Sequence, residues 1–335
     1  MTRLPDPKAR LDALEAEAVF GLILDDDTLP EERIAAFLVG MTERSETAAE
    51  IAGAARALRA RLIPVPSPPD AIDVCGTGGD GHHTLNVSTA VSLVVAAAGV
   101  PVVKHGNRAA SSRSGAADTL EELGLDMAAA GRSAERTLAE LGICFLFAAN
   151  HHPAMRRIQP IRQRIGRRTI FNLMGPLSNP AQVQSQLIGI ARPAYVPIYA
   201  AAKAMLGTKR TVIVSGDEGL DELSLAGGNE VAEVQGNAFE MRRMSADALG
   251  LKHSPVEAIR GGTPAQNATA LRDLLDGAPG PYRDAVLLNS AAALQVAGRG
   301  DDWMERRSIA EESLNSGRAR QLLKHWIAAA EAAPQ

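Results

Sequence analysis

With 335 residues the chain is too long for one typical domain, and two are expected. A hydrophobic content of 46% is enough for a packed core, while a net charge of −4 and a pI near 6.0 speak against a general nucleic-acid binder, which would be basic. Aromatic residues are only 3% of the chain, so alanine- and leucine-based helix packing is favoured, and Cys75 and Cys144 form no CxxC or zinc-type spacing and read as buried thiols of a reducing compartment.

In chain order, the charged start "MTRLPDPKARLDALEAEA" has no apolar core of a signal peptide. The apolar run "VSTAVSLVVAAAGVPVV" is broken by hydroxyls, Gly and Pro, so no membrane association and a cytoplasmic location are expected. Residues 8–63 read as helices. Pro30 suits a first helical position. Ile34, Phe37, Leu38 and Met41 share one face, and Thr47 with Glu50 makes a capping box. "PVPSPPD", residues 64–70, has four prolines in seven positions and reads as a stiff linker. It sets the expected domains: 1–69 helical, joined by part of 155–180, and 70–335 α/β. Beyond it, "AIDVCG", "VPVVKHG", "ICFLFA", "QLIGIA", "RTVIVSG" and "NEVAEVQ" read as strands. Helices lie at about 88–98, in "SGAADTLEELG" and "SAERTLAELG", and throughout from Pro264. The alternation predicts an α/β fold with a mostly parallel central sheet.

Four segments carry chemistry. "GTGGDG", residues 76–81, lies between a strand and a helix start, which is an anion site of backbone N–H groups, and glycine lets a ligand approach closely. Although Gly76, Gly78 and Gly81 fall at GxGxxG spacing, the match to a dinucleotide fingerprint is poor, and GK[ST] is absent, which weakens dinucleotide and P-loop readings. Asp80 in such a loop suits a sugar phosphate, whose hydroxyls it accepts, or a bound cation. "KHGNR", residues 104–108, ends the next strand and falls beside the first loop if the two strands are neighbours. "SSRSG", residues 111–115, follows it. "GDEGLDEL", residues 216–223, holds Asp221 and Glu222, an oxygen-only pair suited to Mg²⁺ or to a solvated acidic turn. "MRRIQPIRQRIGRRT", residues 155–169, has six arginines and no acid. It reads either as a solvated face or as a source of one Arg that clamps a substrate carboxylate. The pairs His82–His83 and His151–His152 lack zinc spacing.

"DVCGTGGDGHHTLNVSTA", "KHGNRAASSRSGAADTLEELG", "HHPAMRRIQPIRQRIGRRTIFNLMGPLSNP", "GDEGLDELSL" and "GGTPAQNA" together resemble the anthranilate phosphoribosyltransferases of tryptophan biosynthesis. The resemblance implies a small helical domain on a large α/β domain, as in nucleoside phosphorylases, with a homodimer formed through the helical domain. It implies phosphoribosyl pyrophosphate, anthranilate and Mg²⁺ as ligands. By the same resemblance Gly76, Gly79, Asp80, Thr84, Asn86, Ser88, Thr89, Lys104, Asn107, Arg108 and Ser112 surround the phosphoribosyl substrate. Ser88, Asp221 and Glu222 hold the metal, and Gly76, His105, Asn107, His152, Arg162 and Pro176 meet anthranilate. Lys104, Asn107 and Arg162 are expected at the reacting centre. Ala116 stands where the family usually has a serine, an expected loss of about 0.5–1.5 kcal/mol of substrate binding. Leu85 and Ala149 replace a common Phe and Pro at positions expected away from the chemistry. A pyrimidine nucleoside phosphorylase and a non-catalytic nucleic-acid-binding relative are the rival readings. "KHGNR" followed by "SSRSG", and the Arg-rich segment, favour the transferase over the first. The acidic net charge and intact loops disfavour the second.

Overall fold

The structure, a computed structural model, describes residues 4–109 and 113–332. Three helices open the chain: α1 (Ala13–Asp25), α2 (Glu31–Glu43) and α3 (Ala48–Arg59). Side chains satisfy the free N–H groups at two of their starts. Asp12 and Glu15 form a capping box on α1, and Thr47 and Glu50 form the expected one on α3. Pro30 differs from expectation by one position: its ψ of 131° is extended, so it caps α2 instead of beginning it. Ile34, Phe37, Leu38 and Met41 are buried together, as their spacing predicts.

The α/β part follows as β1 (Ile72–Gly76), α4 (Val87–Ala97), β2 (Val102–Gly106), α5 (Ala116–Glu122), α6 (Met127–Arg132), α7 (Ala134–Leu141), β3 (Ile143–Phe147), α8 (Ala148–His151) and α9 (Met155–Ile165). Then come β4 (Ser185–Gly189), α10 (Val196–Leu206), β5 (Thr208–Gly216), β6 (Gly228–Gly236) and β7 (Ala238–Ser245). The chain closes with α11 (Pro264–Leu275), α12 (Pro281–Val296), α13 (Trp303–Asn315) and α14 (Arg318–Glu331). Among the described residues no helix is long and apolar enough to cross a membrane.

The strands form one sheet in the order β3-β2-β1-β4-β5-β6-β7; the first five are parallel, and β6 and β7 run antiparallel. Sequence reading missed β7 because its first six residues are all exposed and show no alternation. It is the sheet's edge, joined to β6 by a tight turn at Gly236, whose φ is +61°. Strands 1 to 3 progress one way and strand 4 starts on the other side of β1, so the switch point lies between β1 and β4. Ligands of open α/β sheets bind above this crevice, outside the carboxyl ends of the strands.

One hydrophobic core packs α4, α12 and α14 on one face of the sheet. A second joins α1, α2, α3 and α9 to α10 and the opposite face through Ile188, Ile190 and Ile213. The helical bundle thus sits on the sheet, and the 64–70 segment runs beside residues 180–181, with the Val65 amide donating to the Pro180 carbonyl at 3.2 Å.

Candidate active site

The glycine turn follows β1 at the switch point. Gly78, Gly79 and Gly81 have φ of +67°, +75° and +81° with open space where a side chain would stand, so the backbone conformation demands glycine. Gly76 is glycine for another reason. A Cβ there would lie 2.1 Å from Asp221 Oδ2, and one on its strand neighbour Gly189 would lie 1.5 Å from the Asp221 carbonyl oxygen. The two strand ends are bare so that the 221–222 turn can lie across them.

Asp221 Oδ2 accepts the Gly78 amide at 2.7 Å, and Glu222 Oε1 accepts the Ser88 amide at 3.1 Å, at the start of α4. Two asparagines fix this turn. Asn289 of α12 accepts the Leu223 amide at 2.9 Å and donates to its carbonyl at 2.9 Å; Asn229 does the same for Ser224 at 2.7 and 3.1 Å. Burial, then the neighbouring Asp80, pushes the Asp221 carboxyl up to about 7. Burial, then Asp221 and Asp80, pushes Glu222 well above the carboxylate range.

These carboxylates fit a divalent cation. Glu222 Oε2 is buried without a hydrogen-bond partner, and a void of about 10 Å³ is lined by Ser88, Asp221 and Glu222 among others. A cation would reverse the electrostatic cost that raises both carboxyls. No cage of three or more His, Cys, Asp or Glu side chains exists among the described residues. Mg²⁺ needs none, since it keeps waters and takes substrate phosphates on one or two carboxylates.

Four further residues named from the sequence lie near this turn. Asp80 Oδ1 accepts the His82 amide at 3.0 Å. Thr84 forms an isolated bridge with Arg260, tying the loop to the 259–261 segment. Thr89 is 1% exposed and its hydroxyl has no hydrogen-bond partner. Lys104 is buried beneath α4, where its ammonium donates to the Val74 carbonyl at 2.9 Å and to Ser88 Oγ at 3.3 Å.

Two residues face elsewhere than expected. The Asn86 side chain is turned into the protein: its Oδ1 accepts from Thr119 at 2.5 Å and from Asn267 at 2.8 Å. The Arg108 guanidinium lies on Asp118 and Glu121 of α5, 5.7 Å from the Phe147 ring, rather than toward the glycine turn. Ser112 lies outside the described residues. Asp118 accepts the Ala109 and Gly115 amides, each at 2.9 Å.

Beside this crevice is a cavity of about 410 Å³, with His105, Asn107, His152, Gln159 and Arg162 in its lining together with Leu58, Phe171, Met174 and Gly175. Adjacent residues of β2 serve the two spaces, because side chains alternate across a strand: Lys104 points under α4 and His105 into the cavity. His105 Nδ1 lies 3.1 Å from the Gly175 carbonyl and its Nε2 3.2 Å from His152 Nε2. Burial lowers the two imidazoles to about 4 and about 3, so both are neutral at pH 7. His105 therefore donates from Nδ1 to the carbonyl, and its Nε2 accepts from His152. Gly76 and Pro176 are not in the cavity's lining; Pro176 is buried behind it, its carbonyl bound by Gln186 at 2.7 Å. Ala149, expected away from the chemistry, does line the cavity, because β3 ends at Phe147 and α8 begins beside it.

The six arginines divide. Arg157, Arg164 and Arg167 pair with Asp27, Glu31 and Glu43 of the helical region, and Arg168 stacks on Tyr195 at 4.6 Å. Arg156 and Arg162 line the cavity without a carboxylate partner among the described residues, and burial lowers the Arg162 pKa. Sequence reading missed Asn289, Asn229, Asn267, Gln186 and Lys203. The usable signal was a lone polar residue inside an apolar run, as in "AVLLNSAAAL" and "AAAKAML".

A helical bundle seated on an α/β sheet, with a glycine turn at the switch point, is the architecture of the glycosyl transferase family that the family models identify. The family profile for the glycosyl transferase helical bundle domain matches residues 6–62, and that for the a/b domain matches residues 68–320. The anthranilate phosphoribosyltransferase of Erythrobacter litoralis is 72% identical over 327 residues, covering 98% of this chain and 99% of that one. The crystal structure of the Thermus thermophilus enzyme superposes with a TM-score of 0.91 at 41% identity, over 97% of each chain. The Saccharomyces cerevisiae enzyme in complex with PRPP and Mg gives 0.85 at 30%, over 96% of this chain and 94% of that one. The same yeast enzyme in complex with 4-fluoroanthranilate gives 0.83 at 28%, with the same coverage. The chain belongs to the anthranilate phosphoribosyltransferase family.

Proposed function

We propose that the crevice and the cavity beside it transfer the phosphoribosyl group of phosphoribosyl pyrophosphate to the amine of anthranilate, a step of tryptophan biosynthesis. The C1–oxygen bond to pyrophosphate breaks, the amine nitrogen bonds to C1, and the amine proton leaves to solvent or pyrophosphate. The observation that carries this reading is the pairing of two unsatisfied sites. Burial raises the Asp221 and Glu222 carboxyls at the glycine turn, with Glu222 Oε2 left unpartnered, and Arg162 lines an adjoining cavity without a carboxylate partner among the described residues.

No side-chain nucleophile is needed. The positive-φ glycines leave the turn bare of side chains, so the leaving pyrophosphate can approach its backbone, and Lys104 adds charge beneath α4. Asp80, Thr84 and Thr89 hold the ribose-phosphate end of the loop, Asn107 lines the cavity, and Arg162 takes the anthranilate carboxylate. Mg²⁺, when held by Asp221 and Glu222 with Ser88, supplies positive charge against the departing pyrophosphate. Anthranilate's amine is weakly basic and already neutral at pH 7, so orientation by Arg162 and the neutral His105–His152 pair replaces a strong base.

We divide the chain at residues 64–70 into a helical domain, joined by part of 155–180, and an α/β domain. We also infer a cytoplasmic homodimer. Leu14 of α1, 73% exposed, supports a helical-domain contact, and two free buried thiols support a reducing compartment. Light scattering tests the dimer. The reaction is tested by the loss of anthranilate fluorescence with phosphoribosyl pyrophosphate, with and without Mg²⁺. Metal-dependent loss supports the assignment, and no loss at high enzyme with intact fold overturns it.

A further inference from the structure

The wall of the acceptor cavity is built from irregular backbone. Residues 170–178 hold only two single turns, Ile170–Leu173 and Pro176–Ser178, so most of their carbonyls lack a ladder partner. Buried carbonyls must be paired, and here side chains from four separate elements bond to them, although the Gly175 carbonyl also accepts the Ser178 amide at 3.2 Å. Tyr199 of α10 donates to the Leu173 carbonyl at 2.8 Å, and His105 of β2 to that of Gly175 at 3.1 Å. Gln186 of β4 donates to the Pro176 carbonyl at 2.7 Å, and Arg59 of α3 to that of Leu177 at 2.5 Å. A Cβ on Gly175 would meet nothing within 4 Å, because the chain there borders the open cavity.

Gln186 differs from the other three in how it is held. It is 1% exposed and sits in register with Asp73 on the neighbouring strand. Its Oε1 accepts the ammonium of Lys203, and its Nε2 donates to Asp73 Oδ2 at 3.3 Å as well as to Pro176. Lys203 and Asp73 are themselves 1% and 0% exposed. A carboxamide between a buried cation and a buried carboxylate has one orientation: oxygen to the ammonium, nitrogen to the carboxylate. Its donor is therefore held on the Pro176 carbonyl, whereas a free amide flips. None of the mechanistic steps above uses these two groups, and burying them without such a role is costly.

We propose that Gln186, oriented by Lys203 and Asp73, is a positioning residue for the acceptor: through the Pro176 carbonyl it fixes the Met174–Ser178 wall against which the aromatic ring rests. This rests on the functional reading given above. The test is steady-state kinetics of the full chain carrying Gln186→Met, close in shape but without donor or acceptor, measuring KM for each substrate separately.

The expected result is an anthranilate KM raised about five- to tenfold, with kcat and the phosphoribosyl pyrophosphate KM within about twofold, as loss of one buried hydrogen bond implies. Equal changes in both KM values, or no change in a folded variant, overturn the proposal. Where Gln186→Met aggregates, Gln186→Met with Lys203→Met removes the stranded ammonium together with its partner and is read the same way. Wild-type protein that failed to consume anthranilate would overturn the functional reading instead.

Discussion

The two halves of the active site are built by different means. At the glycine turn the backbone does the work: bare strand ends, three positive-φ glycines and a helix start define the site, and two carboxylates are laid across them. At the cavity beside it the backbone is irregular, and side chains from α3, β2, β4 and α10 hold it in shape. Backbone geometry requires particular residues at fixed spacing. Side-chain bracing draws single residues from distant parts of the chain. The two ends meet at β2, whose alternating Lys104 and His105 serve one each.

If the division is real, each end can be damaged alone. The largest effect is expected from Asp221→Asn with Glu222→Gln. Turnover should fall by about 10²–10³, the scale of removing preorganised charge at a leaving group. The fold should persist, because both carboxyls are already destabilised by burial where they stand. Circular dichroism with a Mg²⁺ titration checks both parts, and full activity would remove the metal assignment.

Arg162→Ala should spare that end and cost the other. A charge-assisted bond to a carboxylate is worth about 1.5–3 kcal/mol, so the anthranilate KM should rise by roughly ten- to a hundredfold with the phosphoribosyl pyrophosphate KM unchanged. Equal rises in both would make Arg162 a structural residue, and the division between the two ends would fail at its clearest point.

Asn289→Ala is a subtler probe of the first end. It removes the clamp on Leu223 without touching a ligand atom. The Mg²⁺ concentration for half-maximal rate should rise about five- to tenfold while the anthranilate KM stays fixed, since one bidentate backbone clamp is lost. Calorimetric Mg²⁺ binding gives the same comparison without turnover.

Legibility in the sequence follows the same line. The glycine turn, "KHGNR" and the Asp221–Glu222 pair are visible as motifs, because each needs its residue types adjacent. Strands β1 to β6 are visible as apolar runs, whereas β7, exposed along most of its length, is not. The Arg-rich segment is visible as an anomaly, but which two arginines face the cavity is not. That depends on Asp27, Glu31 and Glu43, about 120–130 residues upstream, claiming three of the others. Gln186, Lys203 and Asp73 read as ordinary strand and helix residues. Only tertiary contact gives them a shared purpose. Asn86 and Arg108 show the converse: each sits in a motif, yet packing turns each side chain onto α5.

The smallest expected effect concerns Ala116, which begins α5 where the family usually has serine. A Cβ placed on Gly106 would come within 3.4 Å of the Ala116 Cβ, so this position looks onto the end of β2 and the phosphate side of the site. Ala116→Ser restores one neutral hydroxyl to that surface. One neutral hydrogen bond is worth about 0.5–1.5 kcal/mol, which predicts a phosphoribosyl pyrophosphate KM lowered roughly two- to tenfold. The anthranilate KM should not move, because the cavity lies on the other face of β2. A change confined to the anthranilate KM would mean that α5 communicates with the acceptor wall. The two ends would then be coupled through β2 rather than merely adjacent on it.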